Sequence, residues 1–355
     1  MTEHPEDAPL IDVRPHTGGT AGAVLTLATV VGVAGLFVVV VLGRILRAPP
    51  LILTVLVTLL PYLWLAGMAW IFGVWSALPD RRPLPILLVV VVLLGVGLWG
   101  PSWAARGERT TGEPLTMMTW NLRRLWGGPA DGGDPAKCVA DTIALENPDV
   151  ITLLEVSLED VDKLGRALDL RCVHATYLKS SSSKKGGLAS CVRGSRWHLN
   201  GGGGLRFVDD EDWFYVFSEV QRAGDVFNVL AVHLHPYELQ MNDIKDISQD
   251  VVRAQSDQSA ALLARVERFR DPTVVAGDFN STRDAALHSS LREHLTDAWE
   301  RGGFGFGSTA TFYNWLPLRV DYVYASDDFA VVDARVPAVG CSDHRPVVTR
   351  LLLRD

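Results

Sequence analysis

Side chains able to bind a metal or move a proton recur directly beyond apolar, strand-like runs of this 355-residue chain. The positions that share this pattern are Asn121, Glu155, His233, Gly277-Asp278-Phe279-Asn280, Asp321 and Ser342-Asp343-His344-Arg345-Pro346. Carboxylate, amide and imidazole groups that end neighbouring strands meet at one edge of a sheet. There they form an oxygen-rich site suited to a hard divalent cation such as Mg²⁺ or Mn²⁺.

Each member of this series also has an ordinary explanation when it is taken alone. Asn121 can cap a turn, Glu155 can begin the helix that follows it, and 277–280 can form a β-turn. The segment 342–346 is more specific, because an acid, an imidazole and a guanidinium stand side by side before a strand. His235 fits a turn residue before Pro236 better than a substrate contact. The ordered series as a whole predicts one site.

The elements that must position these groups are short strands with few helices between them. The predicted strands cover 115–120, 150–154, 172–177, 188–192, 213–219, 226–233, 273–276, 319–325 and 347–353. The predicted helices cover 135–146, 159–168 and 251–269, and Ser180–Gly187 and Gly201–Gly204 are predicted hairpin tips. Most neighbouring strands are linked too closely for helical crossovers, so an α+β sandwich with largely antiparallel strands is favoured over a doubly wound sheet.

The first hundred residues differ sharply from the rest in composition. The chain is 48% hydrophobic and has a net charge of −8, yet only five of its 33 basic and five of its 41 acidic residues lie in 1–103. The remainder therefore carries the whole net charge. This distribution excludes a disordered chain and nearly excludes a purely soluble protein.

Three uncharged apolar runs, at about 21–43, 51–78 and 84–104, are each long enough to cross a bilayer as a helix. A polar tail over 1–20 precedes them, a transmembrane region is predicted over 21–105, and a catalytic domain over 106–355. The first run is too long for the apolar core of a signal peptide and is followed by Arg44 and Arg47. All three runs are apolar on every side, which is not typical of a surface helix.

The side of the membrane is indicated only weakly by charge. Arg106, Arg109 and Arg123 outweigh Arg14, which leans toward a cytoplasmic catalytic domain. The four cysteines (Cys138, Cys172, Cys191 and Cys341) all follow the apolar runs. They allow either two disulfides or free buried thiols, and the absence of a CxxC pair disfavours a zinc site.

Read in order, the series resembles the endonuclease/exonuclease/phosphatase superfamily over about 115–355. This superfamily includes DNase I-like nucleases, abasic-site endonucleases, inositol polyphosphate 5-phosphatases and neutral sphingomyelinases. The resemblance implies a four-layer α/β/β/α sandwich (DNase I-like) with a metal site at one rim of the paired sheets. It also implies hydrolysis of a phosphoester or phosphoanhydride bond by an activated water.

The resemblance assigns the metal side of the site to three residues. Glu155 matches the principal Mg²⁺ ligand, Asn121 the amide near the metal and phosphate, and Asp343 a further metal-side carboxylate. Some members carry another acid where this chain has Arg123, and this difference disfavours a site with two metal ions. Arg123 or Arg124 is therefore expected to contact phosphate, although plain surface charge explains them equally well.

The remaining matches concern the chemical step. Asp278 matches the carboxylate that positions or deprotonates the attacking water, and Asn280 the amide that holds the scissile phosphate. His344 matches the histidine that contacts a phosphate oxygen, and Asp321 its carboxylate partner. His233 matches a second imidazole that assists the leaving group. A carboxylate beside His344 would keep that imidazole charged near neutral pH.

The expected substrate is attached to a membrane. A net charge of −8 is unlike the basic surface that binds duplex DNA, and three spans restrict the enzyme to a bilayer. This architecture is similar to the bacterial membrane phosphatases linked to teicoplanin resistance, which implies a prenyl pyrophosphate or phospholipid substrate and an extracytoplasmic catalytic domain. A nuclease acting on nucleic acid and a catalytically inactive binding module remain the alternatives.

Overall fold

The described N-terminal part of the chain is helical. The computed structural model describes residues 18–78, 84–104, 106–123, 134–177, 186–207, 214–236, 249–312 and 315–354. The N-terminal helices are α1 (Gly18–Ile45), α2 (Leu51–Thr58), α3 (Leu60–Ala77) and α4 (Leu84–Ala104). Three helical stretches are long and apolar enough to cross a membrane, namely Thr20–Ile45, Leu60–Ala77 and Leu84–Ala104.

The apolar run predicted as one span over 51–78 is divided into two helices at Leu59. Pro61 stands in the first turn of α3, where its missing N–H costs nothing and its fixed φ favours a helix start. The backbone N–H of Tyr62 bonds the carbonyl of Leu59 at 3.0 Å instead of continuing the ladder of α2. Only α3 is then long enough to span.

The rest of the described chain alternates strands with a few helices. Its strands are β1 (Leu115–Asn121), β2 (Val150–Ser157), β3 (Leu170–Thr176), β4 (Gly186–Arg193), β5 (His198–Arg206), β6 (Phe214–Arg222), β7 (Asp225–His233), β8 (Thr273–Asp278), β9 (Thr296–Asp297), β10 (Ala310–Phe312), β11 (Leu316–Leu318), β12 (Asp321–Ala325), β13 (Phe329–Arg335) and β14 (Val347–Leu353). Its helices are α5 (Pro135–Glu146), α6 (Leu158–Leu168), α7 (Gln249–Val266), α8 (Ala286–Leu291) and α9 (Ala298–Gly302).

Two six-stranded sheets organise these elements, in the orders β13-β14-β1-β2-β4-β3 and β5-β6-β7-β8-β12-β9. The pairs β1–β2 and β7–β8 are parallel, and the other described pairings are antiparallel. Strands β10 and β11 form a separate hairpin. The predicted preference for antiparallel pairing is confirmed.

Successive side chains along the strands pack into different apolar layers on the two faces of each sheet. Met117 and Val229 pack between the sheets, whereas their neighbours Met118 and Leu230 face outward. The outer face of the first sheet packs against α5 and α6, and that of the second against α7 and α8. These layers form the four-layer α/β/β/α sandwich that was predicted.

The prediction of a hairpin tip at Gly201–Gly204 is wrong. These glycines lie inside β5, an edge strand that pairs with β6 from His198 to Arg206. An added Cβ at Gly204 would lie 2.6 Å from the Cβ of Ala175, so β5 approaches β3 as only glycine allows. Of the other predicted tip, 180–187, residues 180–185 lie outside the described part and the last two belong to β4.

All four cysteines are paired in disulfides. One joins Cys138 of α5 to Cys341, and the other joins Cys172 of β3 to Cys191 of β4. The first therefore ties the segment before His344 to the outer helical layer. The alternative of free thiols that the sequence left open is excluded.

Candidate active site

The predicted site residues gather at one edge of the paired sheets. Asn121 ends β1, Glu155 lies near the end of β2, and His233 and Asp278 end β7 and β8. Because the pairs β1–β2 and β7–β8 are parallel, their carboxyl ends lie together. Asp321 begins the antiparallel strand β12 directly opposite Asp278, and the segment carrying His344 leads into β14, the antiparallel neighbour of β1.

Backbone geometry aims two of these side chains. Glu155 has a φ of 51° at a bulge between Leu154 and Val156, and Asn280 has a φ of 47°. Left-handed backbone is uncommon for residues other than glycine, and bulges redirect side chains next to active sites. At Gly277 (φ 154°) an added Cβ would stand 1.8 Å from the carbonyl oxygen of Val232, so β7 and β8 approach closely only because glycine is there.

The amide of Asn121 links the two sheets. Its Nδ2 donates to Oε1 of Glu155 at 3.2 Å and to Oδ2 of Asp278 at 3.0 Å, while its Oδ1 accepts from the backbone N–H of Arg123 at 2.9 Å. The backbone N–H of Asn280 donates to the other oxygen of Asp278 at 2.8 Å. These bonds fix both carboxylates. In this rotamer Asn121 orients ligands, and its own oxygen would reach a metal only after the amide turns.

Two buried carboxylates and an imidazole form the centre of the site. His344 donates through Nδ1 to Oδ2 of Asp321 at 2.9 Å, and its Nε2 lies 3.8 Å from Oδ2 of Asp278. One ligand-type atom from each of these three residues falls within 4.8 Å of the others. Oδ1 of Asp321 is buried and has no hydrogen-bond partner among the described residues.

Burial and neighbouring charge move the pKa values of this centre in opposite senses. Burial, reinforced by the charge of Asp321, raises the pKa of Asp278 to about 7. Burial alone would lower the pKa of His344, but Asp321 and Asp278 outweigh it and raise that pKa to about 10. At neutral pH, His344 is therefore an imidazolium and Asp278 sits near its midpoint, which suits a general base.

His233 lines the same centre from β7 and contacts a tyrosine as well as carboxylates. Its Nδ1 lies 2.6 Å from the hydroxyl of Tyr177, and its Nε2 lies 4.0 Å from Glu155 and 3.8 Å from Asp278. Burial lowers its pKa to about 4. The ring is therefore neutral at pH 7 and lines the same centre.

Arg123 and Asp343 form a pair at the rim of the site. Nη1 of Arg123 lies 2.7 Å from Oδ2 of Asp343, and both side chains are partly exposed. The hydroxyl of Ser342 donates to the carbonyl of Asn121 at 2.8 Å, which holds their two segments together. Arg124, the other predicted phosphate contact, lies outside the described residues.

Two residues that support the site were not singled out from the sequence. Tyr177 ends a predicted strand, as the chosen polar residues do, and that signal could have identified it. Thr309 carries no comparable signal, yet its hydroxyl accepts from the backbone N–H groups of Val320 and Asp321 at 3.2 and 3.1 Å. His235 donates its backbone N–H to Gln258 at 2.8 Å.

The donor set fits a hard divalent cation. It is rich in carboxylate oxygen, and within the described part of the chain Oδ1 of Asp321 is buried without a hydrogen-bond partner. Nδ1 of His344 is bonded to Asp321, so the oxygens of the neighbouring carboxylates are the more numerous donors. Carboxylates of Glu155, Asp278 and Asp321 are thus the groups available to an ion.

The part of the chain that carries the site is similar in sequence to known proteins. Residues 118–344 match the family model described as "Endonuclease/Exonuclease/phosphatase family". A protein of Vibrio cholerae named "UPF0294 protein" is 32% identical over 96 residues, which are 27% of this chain and 33% of that protein. The chain thus spans about a third of the length of the curated relatives that it matches.

Solved structures show the same fold. An endonuclease/exonuclease/phosphatase from Beutenbergia cavernae superimposes with a TM-score of 0.57 at 22% identity, covering 68% of this chain and 72% of that one. A mannosyl-6-phosphatase from Bacteroides thetaiotaomicron gives a TM-score of 0.53 at 17% identity, covering 67% and 100%. At these identities the similarity concerns the architecture of the sandwich.

Proposed function

This chain belongs to the endonuclease/exonuclease/phosphatase family, which hydrolyses phosphoester bonds, and on that premise we propose that it is a membrane-anchored, divalent-metal-dependent phosphatase. Its proposed substrate is a lipid-linked phosphate or pyrophosphate, such as a prenyl pyrophosphate or a phospholipid. Mg²⁺ is the proposed ion, with Mn²⁺ as a substitute. The attacking group is a water molecule.

The observation that carries the lipid substrate is the contact between the active-site segment and the ends of the apolar helices. Asp284 lies only four positions after Asn280, and its carboxylate accepts from Nη2 of Arg44 at the end of α1 at 2.9 Å. Between them, the hydroxyl of Thr282 donates to the carbonyl of Val57 in α2 at 3.4 Å. Four residues reach at most about 14 Å, so the site is close to the level where α1 ends.

The connection between α4 and the sandwich supports the same conclusion. Gly107 donates its N–H to the carbonyl of Arg301 at 3.0 Å, and Glu108 donates to that of Val331 at 2.7 Å. The connection is therefore bonded to the sandwich within a few residues of the end of α4. A catalytic domain held in this way keeps its site near lipid headgroups, which favours an anchored substrate over a dissolved one.

The proposed water activation rests on Asp278. Asn121 and the N–H of Asn280 hold its two oxygens, and burial keeps its pKa near neutrality, so it can accept the proton of an attacking water. Glu155 and Oδ1 of Asp321 would hold the metal ion, Asn121 would join them once its amide turns, and Asp343 at the rim is a further candidate. A bound divalent cation supplies neutralisation of phosphate charge and acidifies bound water.

The two imidazoles have separate proposed tasks. His344 is held protonated by Asp321, and its Nε2 can donate to a non-bridging phosphate oxygen as negative charge builds there. His233 is neutral and braced by Tyr177, so it can orient the leaving group or exchange a proton with it. Asn280 and Arg123 are the proposed further phosphate contacts.

The disulfides favour an extracytoplasmic catalytic domain. Structural disulfides persist in oxidising compartments and are rare in reducing ones, and this domain holds two. That argument points away from the cytoplasmic side that a small excess of arginine suggests. A fusion of alkaline phosphatase at Asp355 should therefore be active in a bacterial host, and a β-galactosidase fusion at the same position should be inactive; the reverse result would place the domain in the cytoplasm.

The deciding experiment measures substrate class with the full-length protein in detergent micelles containing Mg²⁺. We expect phosphate release from undecaprenyl pyrophosphate and negligible nicking of plasmid DNA. His344→Ala should lower release by about 10²–10³-fold, as loss of one electrostatic donor does. His198→Ala, at an exposed position of β5, is the matched control and should leave the rate unchanged.

Two outcomes would replace the proposal. Efficient plasmid nicking that His344→Ala abolishes would identify a nuclease. A protein that hydrolyses neither undecaprenyl pyrophosphate nor plasmid DNA, and that loses no activity on Asp278→Ala, would be a catalytically inactive binding module.

A further inference from the structure

The sandwich carries one cluster of exposed aromatic side chains. Among the described residues from 106 to 354, six large hydrophobic side chains are exposed, and three of them are Phe304, Phe306 and Trp315. Phe304 is 68% exposed and Trp315 is 72% exposed. The other three, Leu145, Leu158 and Leu205, are scattered along the chain, as single exposed leucines on soluble proteins commonly are. Three aromatic rings within twelve residues are not typical of a water-facing surface.

Phe304 and Phe306 lie against the last turn of α4. The N–H of Gly305 donates to the carbonyl of Ser102 at 2.9 Å. The rings of Phe304 and Phe306 stand edge-on to that of Trp103, with centroids 5.2 and 5.6 Å away. Trp103 is itself 49% exposed, so the helix and the sandwich together present one continuous aromatic surface.

The level of this surface follows from the length of α4. The helix has 21 residues, and at about 1.5 Å per residue it is roughly as long as a hydrocarbon core is thick. Its last turn therefore coincides with the boundary between acyl chains and headgroups. Tryptophan and other aromatic side chains are favoured at that boundary.

The hairpin that carries Trp315 reaches the same level from another helix. The hydroxyl of Tyr62, in the first turn of α3, donates to the carbonyl of Pro317 in β11. Trp315 precedes that proline by two residues. The hairpin is thus bonded to the start of one candidate span, while Phe304 and Phe306 contact the end of another.

We infer that Phe304, Phe306 and Trp315 form a second membrane-contact surface, seated in the headgroup–acyl boundary of the bilayer beside α3 and α4. The inference rests on the proposed membrane anchoring. Its ligand is the lipid bilayer, because the surface is continuous with helices whose own surfaces require lipid. Rings in this position bury their apolar faces in lipid and leave the sandwich above in water.

The surface is also bonded to the catalytic centre. Thr309, three residues after Phe306, accepts from the N–H of Asp321 through its hydroxyl, and its carbonyl accepts from the N–H of Arg345 at 2.6 Å. Those two bonds reach the carboxylate partner of His344 and the residue after His344. Seating the surface in lipid would therefore hold the catalytic edge at a set height above the bilayer.

The test uses single-cysteine probes in the full-length protein, reconstituted in nanodiscs of phosphatidylcholine with and without nitroxide-labelled lipid. The native cysteines are all in disulfides, so an environment-sensitive dye labels only the added thiol. Phe304→Cys and Trp315→Cys are the test sites, and both are exposed, so the substitutions leave the core intact. Leu145→Cys on α5 is the aqueous control, and Phe37→Cys, 58% exposed on α1, is the lipid-facing control.

We expect blue-shifted emission and strong quenching by the nitroxide lipid at positions 304, 315 and 37, with neither effect at 145. Quenching at 37 together with water-like emission at 304 and 315 would overturn this inference while leaving the anchoring intact. Water-like emission at all four positions would overturn both the inference and the proposed anchoring. Circular dichroism of each labelled variant verifies that the sandwich is folded.

Discussion

His344 donates through Nδ1 to Oδ2 of Asp321 across 2.9 Å, and this bond joins the segment before β14 to the start of β12. The carboxylate of Asp321 keeps the imidazole of His344 charged and fixes the direction of its Nε2. That nitrogen points toward the carboxylate of Asp278, 3.8 Å away. The charge state of His344 therefore depends on a residue that does not itself need to touch the substrate.

Replacing Asp321 with Asn should lower the pKa of His344. The wild-type imidazole keeps its proton up to about pH 10, so its alkaline loss lies at high pH. Without the anionic partner the proton is lost at lower pH, and the alkaline limb of kcat/KM should move in the acidic direction. We also expect a rate about 10²-fold lower at neutral pH. The measurement is a pH–rate profile in micelles.

The control for that profile is Asp327→Asn, which removes an exposed acid from the turn that follows the same strand. This control variant should change neither the rate at neutral pH nor the position of the alkaline limb of kcat/KM. An Asp321→Asn enzyme with a lower rate and an unmoved limb would mean that Asp321 supports the fold of the site and does not set the charge of His344.

Glu155 should determine how tightly the proposed metal binds. Removing divalent ions with a chelator should abolish phosphate release, and adding Mg²⁺ should restore it. Glu155→Gln keeps the size of the side chain but removes its charge, so half-maximal activity should need at least about tenfold more Mg²⁺, the effect of about 1.4 kcal/mol. Glu159→Gln, in the exposed first turn of α6, is the matched control. Equal Mg²⁺ requirements for both variants would assign the metal to other ligands.

Much of the site was readable from the sequence because its residues end strands. Asn121, His233 and Asp278 each terminate an apolar run, and parallel pairing brings such ends together whatever the rest of the fold does. The ordering of the whole series then selected one family. The structure places Asn121, Asp278, Asp321 and His344 within hydrogen-bonding or near-contact distance of one another.

What the sequence did not reveal depends on packing between distant segments. The contact of Tyr177 with His233 needs two strands from different sheets to lie face to face, and no local pattern encodes that. Gly201–Gly204 has the composition of a loop, yet an edge strand that approaches β3 closely requires small residues. Arg44 and Asp284 are 240 positions apart, so their pairing appears only when the helices are docked.

His288 should make the sandwich less stable in mild acid. Burial, helped by the charges of Arg292 and Arg319, lowers the pKa of His288 well below its ordinary value. The unfolded chain takes up a proton as the pH falls through about 6.5, and the folded chain does not. Stability is therefore present above that pH and falls below it, by up to about 1.4 kcal/mol per pH unit.

His288→Gln removes this proton uptake, so the apparent unfolding midpoint should depend less steeply on pH between 7 and about 5. Intrinsic fluorescence of the full-length protein measures that midpoint. Part of the slope should remain, because burial also lowers the pKa values of His233 and His174. His198→Gln, at an exposed position, should leave the slope unchanged. An equal slope for wild type and His288→Gln would mean that other groups set the acid sensitivity.

The disulfide between Cys138 and Cys341 should matter more for activity than the one between Cys172 and Cys191. Cys341 stands three residues before His344, whereas the second bridge joins β3 to β4 at an edge of its sheet. The double variant Cys138→Ser/Cys341→Ser should lower kcat by about tenfold, the effect of about 1.4 kcal/mol. Cys172→Ser/Cys191→Ser is the matched control and should retain activity; equal losses would show that the bridges act only through overall stability.

The ion pair between Arg44 and Asp284 should couple the end of α1 to the active-site segment. Asp284 is 2% exposed, so Arg44→Gln leaves a buried carboxylate without its cation at a cost of about 1–3 kcal/mol. Since the same segment carries Asn280, we expect a lower kcat as well as a lower apparent unfolding midpoint. The kcat and the unfolding midpoint are both measured in phosphatidylcholine nanodiscs. The KM measured there reports separately on how well the lipid-linked substrate reaches the site.

A double-mutant cycle separates this coupling from a general loss of stability. Arg44→Gln/Asp284→Asn removes both charges, so it should recover part of what either single variant loses. The control is Arg47→Gln, which changes an exposed arginine between α1 and α2. The substitution keeps the bond from the Ser256 hydroxyl to the backbone carbonyl of residue 47, at 2.7 Å, so this variant should behave as wild type. Additive losses in the double variant would mean that the two side chains act independently. The end of α1 would then support the sandwich without positioning Asn280.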